Sequence, residues 1–209
     1  MAARATRKTQ SDGYHHGDLR KAVLDEAFTL LHEGGPDAVS LREVARRLGV
    51  SYGAPHHHFP EKGDLFAALA TQAFESLETA IGRRLSRFAG DDAAGLLRAV
   101  AETYLDFASK DPARYELMFL PELRDRVRFA TLHETGGRSL ERLATLFEHA
   151  ESLAPRRAHA RAVACWSALH GYAVLANAGF LEDGKSTHRD NLNALLDSVV
   201  VVRSRPKGL

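Results

Sequence analysis

The sequence predicts an all-α chain: a small N-terminal three-helix head containing a helix-turn-helix, followed by a larger helical domain. Three observations predict it. Apolar residues recur at helical spacing along most of the chain, the stretch from Ser40 to Lys62 reads as helix, tight turn, helix, and no segment requires a strand. The one competitor is Val199 to Val202, which has high strand propensity. There Leu192, Leu195, Leu196, Val199 and Val200 keep the helical period, and the period decides.

Met1 to Gly13 is polar and carries Arg4, Arg7 and Lys8, the composition of a disordered basic arm. Such an arm either adds phosphate or minor-groove contacts or is a solvated tail. The first helix is expected to start near Gly17 and Asp18, with Leu19, Val23, Ala27, Leu30 and Leu31 on one face, and to end at Gly34, Gly35 and Pro36. Ser40 is a good N-cap, and Leu41, Val44, Ala45 and Leu48 follow at i, i+3, i+4 and i+7, with Arg42, Glu43, Arg46 and Arg47 opposite. Gly49 supplies a left-handed stop, Val50 an apolar plug, and Ser51 an N-cap for a short second helix from Tyr52 to His58. After Lys62, a long helix from Gly63 to Phe88 carries Leu65, Phe66, Leu69, Leu77, Ile81 and Leu85 before Ala89, Gly90 and Asp91 interrupt it. Shared by both domains, it would turn a shift in one into a tilt of the other. Further helices are expected at about Ala93 to Ser109, Ala113 to Phe119, Leu123 to Ala150, Pro155 to Gly179 and His188 to Arg203. The resulting division is residues 1–13 as the arm, 14–62 as the head and 63–209 as the helical domain.

Composition narrows the function. A net charge of +1 permits a local basic patch but not a protein that coats nucleic acid along its length. Cys165, the single cysteine, rules out an intramolecular disulfide framework and suits a reducing cytoplasm. The basic N-terminus is followed by no apolar core of a signal peptide. No Gly-rich phosphate loop, G-x-S-x-G elbow or H-E-x-x-H is present, so catalytic residues and cofactors are expected to be none. His56, His57 and His58 are consecutive, diverge by roughly 100° per residue on a helix, and cannot converge on one metal ion.

A helix, a G-V-S turn and a second helix make the geometry that sets a recognition helix in the major groove of DNA. VARRLGVSYGAPHHHFPEKGDLF resembles the N-terminal signature of the TetR family of transcriptional regulators, and YHHGDLRKAVLDEAFTLLHEGG resembles that family's first helix. The likeness runs from Tyr14 to about Phe74 without a gap. It implies that Arg42 reaches a base edge, that Ser40, Ser51, His56 and Lys62 hold phosphates, and that Tyr52, Gly53, Ala54, Pro55 and His57 face the groove, with His58 and Phe59 packed behind. His56 departs from the family, where tyrosine is commoner; an imidazole still donates to phosphate, with a strength that depends on its protonation.

DPARYELMF (Asp111 to Phe119) and WSALHGYAVLANAG (Trp166 to Gly179) resemble the ligand-binding domain of a TetR branch with a Trp and a His-Gly pair in the penultimate helix, here Trp166, His170 and Gly171. Trp166 and His170 share one helical face. They belong either to a cavity wall or to a packed core. Tyr104, Phe107, Tyr115, Met118, Phe119 and Phe147 are the other candidate lining residues, giving a small, mainly hydrophobic effector with one hydrogen-bonding group. The run Ala162 to Phe180 is apolar on nearly every side, yet Ser167, His170 and Asn177 argue against a membrane span. Covered instead by a second copy, together with the Leu192 to Val200 stripe, it would form a four-helix homodimer interface. The expected protein is thus a cytoplasmic, dimeric, ligand-responsive repressor bound to double-stranded operator DNA. The alternative is a helical enzyme or carrier whose hairpin only mimics a DNA head.

Overall fold

The computed structural model describes residues 16–88, 92–181 and 187–199. Among them are eight α-helices and two 3-10 turns, with no strand. The expected arm, residues 1–13, and the expected end of the last helix, residues 200–203, lie outside the described residues. The chain divides into two compact units between Lys62 and Gly63.

In the first unit, α1 (His16–Ala38) is broken at Gly34 and Gly35. Gly35 has φ 69°, a left-handed value that a side chain would strain. The expected stop is therefore real but brief: Pro36 restarts one turn, closed by Val39 N–H donating to the Pro36 carbonyl at 3.3 Å. Proline favours such a first turn because its missing N–H would be unpaired there anyway. α2 (Leu41–Leu48) begins where the Ser40 hydroxyl accepts from Glu43 N–H at 3.1 Å. It ends at Gly49 (φ 66°), where Gly49 and Val50 N–H return to the Arg46 and Ala45 carbonyls. Leu24, Leu30 and Leu31 of α1, Val44 and Ala45 of α2, and Phe59 are all buried. Truncating a core leucine such as Leu24 to alanine should cost about 2–5 kcal/mol.

The short second helix differs from expectation. Tyr52 to Ala54 form a turn and only Pro55–His57 is helical, in a 3-10 turn. Pro55 has no N–H to return to the Ser51 carbonyl, which takes Ala54 N–H instead at 3.0 Å.

In the second unit, α3 (Lys62–Leu85) opens with the last residue of the first. It is followed by α4 (Ala93–Lys110), α5 (Pro112–Leu117), a 3-10 turn at Pro121–Leu123, α6 (Ala130–Glu151), α7 (Pro155–Asn177) and α8 (His188–Val199). α6 and α7 make the most extensive pairing, α4 packs on both, and α8 packs on α7. Glu78 joins α3 to α6 by accepting from the Ser139 hydroxyl (2.7 Å) and from Arg142 (2.8 Å). Asn177 and Arg98 join α4 to α7 and α8 through the Ala108 carbonyl and the Asn193 amide.

Two expectations are corrected here. The helix placed at Leu123 to Ala150 starts only at Ala130, because Asp125 Oδ1 accepts from Val127 and Arg128 N–H, both at 3.0 Å, and holds the chain in a turn. Leu196, expected on a dimer-facing stripe, is fully buried within its own chain. The large apolar side chains left exposed on α7 are Val163, Val174 and Leu175. Among the described residues no helix is long and apolar enough to cross a membrane.

Candidate nucleic-acid interface and ligand cavity

The charges of α2 are sorted by their partners. Arg46 forks onto Glu43 at 2.6 and 2.8 Å. Arg47 is held by Glu33 at 2.5 Å, Glu43 at 3.1 Å and Glu26 at 3.4 Å. Those two guanidiniums pull the Glu43 carboxyl down to about 2, hydrogen bonding being the largest cause. Arg42 differs: it is exposed, has no carboxylate within 4 Å among the described residues, and lies over the Tyr52 ring at 5.3 Å. Tyr52 itself is 57% exposed.

The other head residues divide in the same way. Ser40, Ser51, Gly53, His56 and His57 are exposed and Ala54 is half-buried. His56 Nδ1 lies 3.1 Å from the Pro60 carbonyl, and Lys62 Nζ donates to the Pro36 carbonyl at 2.8 Å. At least one of the three Lys62 donors is thereby committed to the fold. Pro55, expected on the groove face, is buried, as is Phe59, while His58 is half-buried. A Cβ at Gly53 would meet nothing within 4 Å, so the chain's own packing leaves that position open.

In the second unit a cleft of about 350 Å³ opens between α3, the 118–126 segment, α6 and α7. Its apolar walls include Phe74, Met118, Phe119, Leu132, Leu140 and Trp166. Gly136 forms part of its floor, and Arg124, Arg126 and His133 contribute its cationic and polar groups. Phe74, Leu140 and Trp166 also wall a second cavity of only about 30 Å³, which Tyr104 reaches.

Beside the cleft runs a polar chain. Trp166 Nε1 donates to the Tyr104 hydroxyl at 3.0 Å, Tyr104 and Tyr115 hydroxyls are 2.8 Å apart, and the Tyr115 hydroxyl is 2.6 Å from His170 Nδ1. Indole only donates, so Trp166 gives its proton to Tyr104, while the sense of the Tyr104–Tyr115 and Tyr115–His170 bonds follows the His170 tautomer. Burial pushes the Tyr104 hydroxyl up to about 12, raises Tyr115 further, and lowers His170, so all three are neutral near pH 7.

Of the eight candidate lining residues, Met118, Phe119 and Trp166 wall the larger cleft and Tyr104 the smaller cavity. Tyr115 and His170 line neither, stand beside Phe119, whose ring is 4.4 Å from that of His170, and are hydrogen-bonded to each other. Phe107 and Phe147 line neither; Phe147 is buried under the Arg161 guanidinium at 5.0 Å. Sequence reasoning missed Phe74, Gly136, Arg124, Arg126 and His133. Only the Gly136-Gly137 pair inside a helical pattern carried a signal, that of a close approach or an opening. Among the described residues no group of three or more His, Cys, Asp or Glu is placed to hold a metal ion.

Known proteins match both units. The family described as bacterial regulatory proteins, tetR family, matches residues 23–69, and the tetracyclin repressor-like C-terminal domain matches residues 97–200. The chain is 26% identical over 165 residues to an uncharacterized HTH-type transcriptional regulator of Mycobacterium tuberculosis, covering 78% of this chain and 72% of the relative. It is 35% identical over 62 residues to the HTH-type transcriptional repressor KstR of Rhodococcus jostii, covering 30% and 29%. A protein of unknown function from Rhodococcus sp. RHA1 superposes with a TM-score of 0.74 at 29% identity, over 90% of this chain and 97% of that one.

Proposed function

The chain belongs to the TetR family of bacterial regulatory proteins, and on that premise we propose that it is a repressor that binds a palindromic operator as a homodimer and is released by a small, mainly hydrophobic effector. The observation that carries the reading is Arg42. It is the one α2 arginine without a carboxylate partner among the described residues, at the first turn of the helix and stacked on an exposed tyrosine. A guanidinium so placed offers its fork to guanine O6 and N7. Gly53, which no internal packing demands, supports close backbone approach to the groove, with Ala54 beside it. Ser40, Ser51 and His57 are exposed and carry donors for phosphate or base contacts, His56 donates from Nε2 when protonated, and Lys62 adds positive charge.

Homodimerisation is supported by α7, where Val163, Ser167, Gly171, Val174 and Leu175 recur on one exposed face. The effector site in this reading is the cleft beside Trp166, and the Trp166, His170 and Gly171 pattern supports membership of the branch that carries it. Regulation rather than catalysis, acting in the cytoplasm, completes the reading. A gel shift with genomic fragments, followed by footprinting, tests it: a protected inverted repeat is expected. Failure to retard any fragment in the absence of small molecules would overturn it.

A further inference from the structure

We infer that the effector is an anionic amphiphile: an apolar chain or ring system in the cleft and one anionic head group held by Arg124 and Arg126. The inference rests on the reading of the cleft as the effector site. It starts from the polar groups expected to mark that site, which face elsewhere. Tyr104, Tyr115 and His170 bond to one another and none of them lines the larger cleft, so they offer a molecule bound there little. The polar lining of the larger cleft comes instead from the segment between α5 and α6.

That segment carries three arginines with different fates. Arg128 is held by Asp64 at 3.1 Å and lies over the Phe129 ring at 5.1 Å. Arg124 and Arg126 line the cleft, are exposed, and have no carboxylate within 4 Å among the described residues. The nearest acid in sequence, Asp125, has its Oδ1 turned to the Val127 and Arg128 backbone N–H groups. His133 Nε2 lies 2.9 Å from the Leu123 carbonyl, so it braces the segment rather than opposing the arginines. Two guanidiniums without a carboxylate partner among the described residues, lining a largely apolar cleft, attract an anion and repel a cation. Arginine's planar fork suits a carboxylate or a phosphate through paired hydrogen bonds. The volume of about 350 Å³ falls at the small end of the ~300–1,000 Å³ typical of ligand sites, which suits a single chain or ring system.

Trp166 is the only tryptophan in the sequence and walls both the cleft and the small cavity beside it, so its fluorescence reports on this region of the second unit. The full-length protein is titrated with decanoate, decyl phosphate, 1-decanol and decyltrimethylammonium below their aggregation limits. Both anions are expected to bind at least about tenfold more tightly than decanol, a difference of about 1.4 kcal/mol, and the cation weakest of all. Arg124→Gln with Arg126→Gln should erase the preference while leaving decanol affinity and the melting temperature unchanged. Preference for one anion tells a carboxylate effector from a phosphate ester. Decanol binding as tightly as both anions, or a preference that survives the double substitution, overturns the anionic head group and leaves the effector cleft standing. No response to any probe overturns both.

Discussion

Phe74 and Gly136 touch so closely that a Cβ at position 136 would stand 3.1 Å from Phe74 Cζ. The contact joins α3 to α6 at the wall shared by the two cavities. Gly136→Ala gains up to about 1 kcal/mol of helix propensity once the Phe74 ring, which walls both cavities, gives way by a few tenths of an ångström. The melting temperature should therefore hold or rise while effector affinity falls, as fluorescence titration of Trp166 would report. A variant that loses stability and keeps its affinity would mean that Phe74 is locked and the cleft does not depend on it.

Arg42→Ala should cost about 1–3 kcal/mol of operator affinity and relax preference at one base pair. Binding measured across all substitutions at that base pair decides between base readout and phosphate contact. Equal losses at every base would leave only the phosphate role.

Gly53→Val separates the fold from the interface. A Cβ there has nothing within 4 Å in the free chain, so thermal stability should change by no more than about 0.5 kcal/mol. Operator affinity should drop by at least tenfold because the backbone can no longer approach the groove. Undiminished binding in a gel shift would move the groove-facing surface away from residues 52–54.

Leu175→Glu should weaken dimerisation and operator binding together, since Leu175 is 46% exposed in the single chain. Leu196→Glu tests the opposite case: fully buried, it should unfold the second unit rather than merely separate subunits. Sedimentation velocity on Leu175→Glu reads the outcome, and a stable dimer would place the interface off this face of α7.

Acid should remove the stability brought by His170 and by Glu43, one in each unit, in separate windows. His170 is held below its ordinary value of 6.5 by burial, so the unfolded chain takes the proton first. The stability this brings is present above about 6.5 and is lost as pH falls below it. Glu43, held at about 2 against an ordinary 4.5, brings stability that is present above 4.5 and is lost as pH falls toward 2. Denaturation followed against pH should show His170→Asn flattening the upper window only and Glu43→Gln the lower only. Either variant leaving its window unchanged would contradict the assignment.

Local chemistry made much of the fold legible. Ser40 with Glu43 at its N3 position, and Gly49 at the end of an apolar heptad, specify α2 because caps and periodicity act within one or two turns. The same local logic fails at Pro55, whose missing N–H converts the expected helix into a 3-10 turn, and at Asp125, whose side chain captures two backbone donors and delays α6 by seven residues relative to the Leu123 start expected from periodicity.

What the sequence determined by itself was the all-helical class, the head with its turn, and the family to which both units belong. What only the tertiary structure decided was which groups are already taken. Periodicity alone treats Arg42, Arg46 and Arg47 alike, and the packed head separates them because Glu26, Glu33 and Glu43 claim two of them. Tyr104, Tyr115 and His170 look like the polar lining of a cavity until they meet one another, and the cleft takes its charge from Arg124 and Arg126 instead. Periodicity is a property of one helix, whereas satisfaction of a buried donor or an ion pair depends on partners up to tens of residues away. That pairing exists only once the helices have packed.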